Sequence, residues 1–202
     1  MNWVALLKRI PVDLGQGNLA RTTKGKLIAQ SLVPDGKGKR ALDVGCRDGS
    51  YSEWLKGRGY RVDSLDLEPR YAGALRFDAN EPLPFPDGSF DLIWCSEVIE
   101  HLRDPAAVVR EFRRVIRPGG RMILTTPNSR LWIYPLLRWV AGKTPKDVQN
   151  PGHLHFFSLE DIQRMFPRGR IWGFFPYLLL RLRMSRGIGR LSPTFVILDG
   201  KD

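Results

Sequence analysis

The chain has 202 residues, two cysteines and a formal net charge of +11. At this length a protein can bury a core without disulfides, and Cys46 and Cys95 match neither a secreted disulfide framework nor a CxxC metal motif. The N-terminal residues 1–10 lack the continuous apolar core of a signal peptide, because Lys8 and Arg9 interrupt them. The longest uncharged runs later in the chain fall short of the roughly 18 to 20 apolar residues of a membrane span. We therefore predict one soluble, cytoplasmic domain over residues 1–202.

The first half of the chain alternates predicted helices and strands. A helix over 19–33 ends before Pro34, and a strand over 40–44 runs through a glycine-bearing loop into a helix that stops at 57–59. Further strands are predicted over 61–67, 75–78 and 90–95.

A strong helix signal begins at Asp104, which can cap a helix, and Pro105, which suits its first turn. The apolar face ends at 118–120, which predicts a helix to that point and a strand over 121–126. Because strands that alternate with helices favour parallel pairing, the pattern implies a parallel sheet. Later elements are a helix over 159–165 and strands near Ile171 and Phe195.

The loop from Asp43 to Gly49 lies where a strand runs into a helix, and glycine there lets a ligand approach the backbone. A glycine loop alone also fits a tight turn with steric needs only. Asp66 ends the next strand, where a doubly wound fold places an acid that accepts hydrogen bonds from ribose hydroxyls. The third and fourth strands end at Asp78 and Ser96, so four strand ends are predicted to face one crevice.

Four segments between Ala41 and Asn128 together resemble the successive motifs of class I S-adenosylmethionine-dependent methyltransferases. They are ALDVGCRDG, VDSLDLE, FDANEPLPFPDGSFDLIWCSEVIEHL and RVIRPGGRMILTTPN. The resemblance is to the branch that contains quinone-biosynthesis and many glycan and lipid methyltransferases. GHLHFFSLEDI, at 152–162, resembles the substrate-side loop and helix of that branch.

The resemblance implies an α/β, Rossmann-like, doubly wound, mostly parallel seven-stranded sheet with helices on both faces, and S-adenosyl-L-methionine as cofactor. It divides the chain into a helical lead-in (1–38), a cofactor-binding core (39–128) and a substrate-side region with the last strands (129–202). Carried over by position, Asp43, Gly45, Cys46 and Gly49 hold the methionine moiety, Asp66 and Leu67 the ribose, Asp78 and Ala79 the adenine, and Ser96 lies near the methyl-bearing sulfur.

Arg47 departs from the family pattern, which most often has a glycine there. Its side chain could narrow the loop or pair with the carboxylate of the cofactor. If it does neither, the cofactor binds more weakly than the motif implies. The same residue argues against a nicotinamide-dependent dehydrogenase, whose loop has glycine at this position. It also leaves open a relative that binds the cofactor, has lost catalysis and acts as a partner protein.

Methyl transfer from a sulfonium is an in-line displacement, and a hydroxyl acceptor benefits from a general base. His101 is the candidate base, because it follows the fourth strand and histidine titrates near neutral pH; the alternative is a histidine that only packs or caps. Glu97, Glu100 and His101 have i, i+3, i+4 spacing, which would place them on one face of a helical turn. This set could ligate a divalent metal ion, as the resemblance to metal-dependent quinone O-methyltransferases implies, although the same string occurs in relatives that look metal-free.

Three further residues are candidates for acceptor binding. His153 and His155 flank Leu154 and point the same way if the chain is extended there, unless they belong to a surface loop. Trp132 lies in an aromatic and apolar stretch at 131–140, with Arg130 and Arg138 beside the apolar side chains. Apolar surface with arginine suits an acceptor with a lipid tail and an anionic group at a membrane surface, although the same side chains could complete the core.

The segment 162–198 contains seven arginines and no acidic residue. With Phe174, Phe175 and Tyr177 among them, these arginines make RNA methylation an alternative, but no NPPY-like or PC-containing motif supports it. We predict a methyltransferase for a small-molecule or lipid- or glycan-linked acceptor, by O-methylation, with peripheral contact to the inner face of an anionic membrane. No oligomeric state follows from the sequence.

Overall fold

The computed structural model of the protein describes residues 24–175 and 183–201. Its centre is one eight-stranded sheet. The strands, in chain order, are β1 (Arg40–Val44), β2 (Arg61–Asp66), β3 (Leu75–Arg76), β4 (Phe90–Ser96), β5 (Ile116–Pro127), β6 (Arg170–Phe174), β7 (Arg183–Met184) and β8 (Thr194–Gly200).

The strands lie in the order β3-β2-β1-β4-β5-β8-β6-β7. The first five pair in parallel, whereas β8 runs antiparallel between β5 and β6. The strand order therefore reverses between the neighbouring strands β1 and β4. Open α/β sheets bind ligands at this point of reversal, beside the carboxyl ends of the strands. The predicted mostly parallel α/β sheet is confirmed, but it has eight strands rather than seven, because the two-residue β7 pairs with β6.

Helices cover both faces of the sheet. Ile28 of α1 and Leu55 of α2 pack with Trp94 on one face, and Phe112 of α3 and Ile162 of α6 pack with Ile93 on the other. The helices are α1 (Lys24–Ser31), α2 (Ser50–Gly57), α3 (Pro105–Val115), α4 (Ile133–Ala141), α5 (Pro145–Val148), α6 (Leu159–Met165) and α7 (Ile188–Leu191), with a 3-10 turn over Ile99–His101.

Helix α3 shows where local signals succeed and where they fail. Its start is as predicted, because the Asp104 carboxylate accepts a hydrogen bond from the Ala107 N–H and Pro105 occupies the first turn. The predicted end at 118–120 is wrong. Ile116 is fully buried and pairs with Phe90, so β5 begins before Pro118 and Gly119 rather than after them.

Several predictions fall at the edges of the described chain. Residues 19–23 of the predicted first helix lie outside the described residues, as do Tyr177 and Arg181 of the basic segment. Among the described residues, every helix is too short or too polar to cross a membrane.

Candidate functional site

A cleft of about 970 Å³ lies at the carboxyl ends of β1, β2 and β4. Most of the predicted site residues line it, namely Asp43, Gly45, Cys46, Asp66, Leu67, Asp78, Ala79, Ser96, His101 and His153. Gly49, Trp132 and His155 are not among the lining residues. Sequence reasoning missed Lys26 and Gln30, which α1 places on the cleft wall, because nothing local to that amphipathic helix indicates a ligand.

The glycine loop between β1 and α2 requires glycine at two of its positions. Gly45 has φ +74°, and a Cβ on it would overlap the Val98 side chain. Gly49 has φ +77°, and a Cβ on it would overlap the ring of Tyr71. Both positions therefore combine left-handed backbone with close packing, which only glycine tolerates. Gly49 shapes the entry to α2 rather than the cleft wall.

Arg47 occupies the left-handed region as well, with φ +48°. Its N–H donates to the Asp66 carboxylate over 2.9 Å, and its carbonyl accepts from the Arg70 N–H over 2.8 Å. The loop therefore holds an arginine in the backbone conformation that suits glycine, at a cost of roughly 1 to 2 kcal/mol. Its side chain is exposed at the cleft wall.

Asp66 links the two loops that follow β1 and β2. Its carboxylate accepts the N–H of Arg47 and, over 2.8 Å, the N–H of Glu68. A carboxylate has about four acceptor sites, so Asp66 is fixed in place and still able to accept hydrogen bonds from a ligand in the cleft. Asp78 is similarly held by the backbone and side chain of Asn80, and these hydrogen bonds lower the pKa of its carboxyl.

Asp43 is the buried acid of the cleft. Burial raises the pKa of its carboxyl from 3.8 to about 6, against the opposing effect of the hydrogen bond from Ser52, and the nearby carboxylates of Asp66 and Asp48 raise it further. The Ser52 hydroxyl donates to Asp43 over 2.6 Å and contacts the Ser64 hydroxyl. An ionised Asp43 therefore favours a ligand that brings positive charge. The adjacent Cys46 thiol, whose pKa burial raises to about 12, stays protonated.

The other end of the cleft contains two histidines in contact. His101 and His153 pack edge to face, with ring centroids 4.7 Å apart. His101 Nδ1 lies 2.9 Å from the Gly152 carbonyl oxygen, which can only accept, so Nδ1 carries the proton. The Glu100 carbonyl accepts the N–H groups of Leu154 and His155, and so docks the 149–155 segment on the 3-10 turn.

The structure separates the remaining acceptor candidates from this end of the cleft. His155 stacks against Phe157, with the rings 9° from parallel, while His153 is buried beside His101. The segment is not extended as a strand, so the two histidines do not share one side. Trp132 precedes α4, where its side chain is 39% exposed.

The predicted metal set of Glu97, Glu100 and His101 is not assembled. The turn is 3-10 rather than α-helical, and Glu97 lies before it with φ +58°. Among the described residues, the group of acids and histidines whose ligand atoms all lie within 4.8 Å is Glu100, His101 and His153. His153 comes from a segment about 50 positions away, which no local spacing reveals.

Comparison with known proteins gives one family. The family model described as "Methyltransferase domain" matches residues 19–168. A ubiquinone biosynthesis O-methyltransferase from Aeromonas salmonicida is 32% identical over 63% of this chain and 60% of its own length. One from Xanthomonas oryzae pv. oryzae is 35% identical over 45% of this chain and 44% of its own. The chain thus spans only part of the curated relatives it matches.

Solved structures agree on the fold. An S-adenosylmethionine-dependent methyltransferase from Mesorhizobium loti has a TM-score of 0.64 at 17% identity, covering 87% of this chain and 97% of that one. A possible histamine N-methyltransferase from Thermotoga maritima has a TM-score of 0.65 at 19% identity, covering 89% and 88%. The cleft lies where the strand order of the sheet reverses, and the family model matches most of the length of the chain. The chain therefore belongs to the methyltransferase domain family and is an S-adenosylmethionine-dependent methyltransferase.

Proposed function

We propose that this enzyme methylates a hydroxyl group of a small acceptor that carries an apolar, lipid-like tail. The observation that carries the proposal is the position of His101, which lines the cleft with its Nδ1 proton committed to the Gly152 carbonyl. The names of the relatives, ubiquinone biosynthesis O-methyltransferases, support hydroxyl as the acceptor group.

In this proposal the cofactor lies along the strand ends, with its methionine moiety at Asp43 to Cys46, its ribose at Asp66 and its adenine at Asp78 and Ala79. Ser96, which lines the cleft and whose hydroxyl contacts that of Thr125 over 2.9 Å, would then lie near the sulfur. Holding nucleophile, methyl and sulfur in line can supply about 7 to 11 kcal/mol of the barrier in favourable cases.

His101 activates the acceptor. With Nδ1 protonated, the lone pair of the neutral ring is on Nε2, the atom left to receive the hydroxyl proton as the oxygen attacks the methyl carbon. Bound S-adenosylmethionine would supply the methyl group: the new oxygen–carbon bond would replace its carbon–sulfur bond, and S-adenosylhomocysteine would leave with the electron pair of the broken bond.

The apolar tail is proposed from helix α4. Trp139 is 85% exposed and Val140 68% exposed, and the neighbouring Arg138 and Lys143 are exposed as well. Apolar side chains flanked by cations suit the surface of an anionic membrane, from which a lipid-tailed acceptor would be taken. Of the aromatic residues that suggested RNA methylation, Phe174 is fully buried and is unable to stack on a base, which weakens that alternative.

The test is transfer of labelled methyl from the cofactor to hydroxylated quinone precursors with and without an apolar tail. We expect His101→Ala to lower turnover by about 100- to 10,000-fold while cofactor affinity, from calorimetry, stays within about twofold. Arg110→Ala, an exposed change on α3, serves as the control. Full turnover by His101→Ala, or transfer only to RNA, would contradict the proposal.

A further inference from the structure

Three electron-pair donors converge at the acceptor end of the cleft. They belong to Glu100, His101 and His153, and all three residues line the cleft. Because a ligand set needs more than proximity, the hydrogen-bonding state of each donor decides whether the group suits a cation.

The Glu100 carboxylate has one oxygen committed and one free. Its side chain is 1% exposed, and Oε2 accepts a hydrogen bond from the Thr126 hydroxyl over 3.0 Å. Oε1 is buried without a hydrogen-bond partner and lies 3.9 Å from His153 Nε2. A buried polar atom that lacks a partner costs free energy of about 1 to 3 kcal/mol, and more for a charged group.

Both imidazoles have their Nδ1 atoms engaged. His153 Nδ1 lies 3.3 Å from Gln149 Oε1. The amide orientation of Gln149 is fixed, because its Nε2 donates to the Tyr134 hydroxyl and to the carbonyl of Asn128. Gln149 Oε1 therefore accepts from His153, as the Gly152 carbonyl accepts from His101. Each ring is left with an Nε2 lone pair.

This is the arrangement that surrounds metal-binding histidines, whose other ring N–H almost always donates to a carbonyl or carboxylate. A lone pair of His153 that faces an unpartnered Glu100 oxygen calls for a proton or a cation between them. In a four-coordinate, tetrahedral site, two ligand atoms bound at about 2.1 Å from the ion lie about 3.4 Å apart. The ligand atoms of this group all lie within 4.8 Å of one another, so the side chains have to close by at most about 1.4 Å to bind one ion.

We propose that Glu100, His101 and His153 bind one divalent transition-metal ion of the Zn²⁺ class, with a coordination position open to the cleft. Two imidazoles and one carboxylate suit Zn²⁺ and its first-row neighbours, whereas Mg²⁺ prefers oxygen ligands. The set differs from the helical-face set of Glu97, Glu100 and His101, because His153 takes the place of Glu97.

The inference deepens the proposed function and rests on it for its catalytic meaning. A bound ion would supply the positive charge that favours loss of the acceptor hydroxyl proton. His101 then serves as a ligand in the ion-bound enzyme. The occupancy of the site can be tested without any acceptor.

The experiment titrates chelator-treated full chain with Zn²⁺, Co²⁺ and Mg²⁺ by calorimetry, and records the visible spectrum of the Co²⁺ form. We expect one Zn²⁺ per chain, an intense four-coordinate Co²⁺ spectrum and no heat with Mg²⁺. Glu100→Gln and His153→Gln should weaken Zn²⁺ binding at least 100-fold. Gln149→Leu, which removes the partner of His153 Nδ1 together with the hydrogen bonds to Tyr134 and Asn128, should weaken it about 10- to 100-fold, and Glu97→Gln should leave it unchanged.

A second readout avoids any dependence on how the variants fold. The chain has only three histidines, so their ring nitrogens can be resolved by ¹⁵N NMR of the wild-type protein. Zn²⁺ should shift the Nε2 signals of His101 and His153 and leave His155 as an internal reference. Absence of Zn²⁺ binding, unshifted Nε2 signals, or loss of binding in Glu97→Gln as large as in His153→Gln would each overturn the inference.

Failure of this inference is distinct from failure of the proposed function. Methyl transfer that persists in the presence of chelator, with no Zn²⁺ bound, overturns the metal site and leaves His101 as the general base. Zn²⁺ binding without transfer to any hydroxyl acceptor upholds the site and overturns the proposed O-methylation.

Discussion

The two ends of the cleft satisfy their polar groups in different ways. At the cofactor end, Asp66 and Asp78 accept hydrogen bonds from residues close to them in space and mostly close in sequence. At the acceptor end, Glu100 and His153 are buried, come from distant segments and leave electron pairs unpaired. At the first end, the hydrogen bonds of Asp66 and Asp78 are made within the protein, and only the buried Asp43 favours a further, positively charged group. At the second end, the unpaired electron pairs are satisfied only when a proton or a cation binds there. The predictions below test this contrast, starting from the largest effect.

The largest effect is expected at Asp43, the buried acid of the cofactor end. A folded-state pKa of about 6 against an ordinary 3.8 means that the folded protein holds the extra proton between these pH values. Its contribution to stability therefore falls as pH rises through about 4 to 6. Asp43→Asn should raise the free energy of unfolding of the ligand-free protein at pH 8 by up to about 3 kcal/mol, and the gain should shrink toward zero near pH 4.

Denaturant unfolding at several pH values checks this prediction. Asp63→Asn is the control, since Asp63 lies on β2 in a half-exposed ion pair with Arg40. A gain from Asp43→Asn that is the same at pH 4 and pH 8 would show that burial does not raise the pKa of Asp43.

The next effect is on cofactor affinity. Asp66→Ala removes the residue that we propose as the ribose acceptor, which is also the partner of two backbone N–H groups, and hydrogen bonds to a charged group contribute about 1.5 to 3 kcal/mol each. We expect calorimetry to show a loss of about 100-fold in affinity for S-adenosylmethionine. Asp63→Ala should keep the wild-type affinity, and a similar loss in both variants would mean that the loss is not specific to Asp66.

A smaller effect is expected at helix α4. Trp139→Ser should lower affinity for phosphatidylglycerol vesicles by about tenfold, because burying a large apolar side chain contributes roughly 1.5 to 3 kcal/mol. Co-sedimentation measures it, and Leu75→Ser, an exposed apolar change at the far edge of the sheet, is the control. Binding by the wild type that is equal for neutral and anionic vesicles would contradict the role of Arg138 and Lys143.

The smallest effect is expected at Arg47. Arg47→Gly relieves the strain of a non-glycine residue in the left-handed region, but glycine also increases the conformational entropy of the unfolded chain. Because these two effects oppose each other, the free energy of unfolding should change by less than about 1 kcal/mol. Cofactor affinity separates the sequence-based alternatives for this side chain. Weaker binding by Arg47→Gly would indicate that Arg47 pairs with the cofactor carboxylate, and tighter binding would indicate that it narrows the loop.

Local signals predicted the bounds of some elements well. The bounds of β1 and α6 match the predictions, because turn glycines and a Ser158–Asp161 capping box mark them in the sequence. The start of β5 did not follow from sequence, since Ile116 joins the sheet through its pairing with Phe90. The acceptor end depends on such long-range contacts throughout: His153 reaches His101, and Gln149 reaches Tyr134, only in the folded chain.

The attachment of the 149–155 segment also bears on how this enzyme can diverge. A single carbonyl, that of Glu100, receives the N–H groups of Leu154 and His155. Bonds between backbone atoms do not depend on side-chain identity, and Leu154 is 59% exposed. Mutations can therefore change these two side chains, and with them the surface beside the cleft, while the segment stays anchored. Selection for a new acceptor has a route here that leaves the cofactor end untouched.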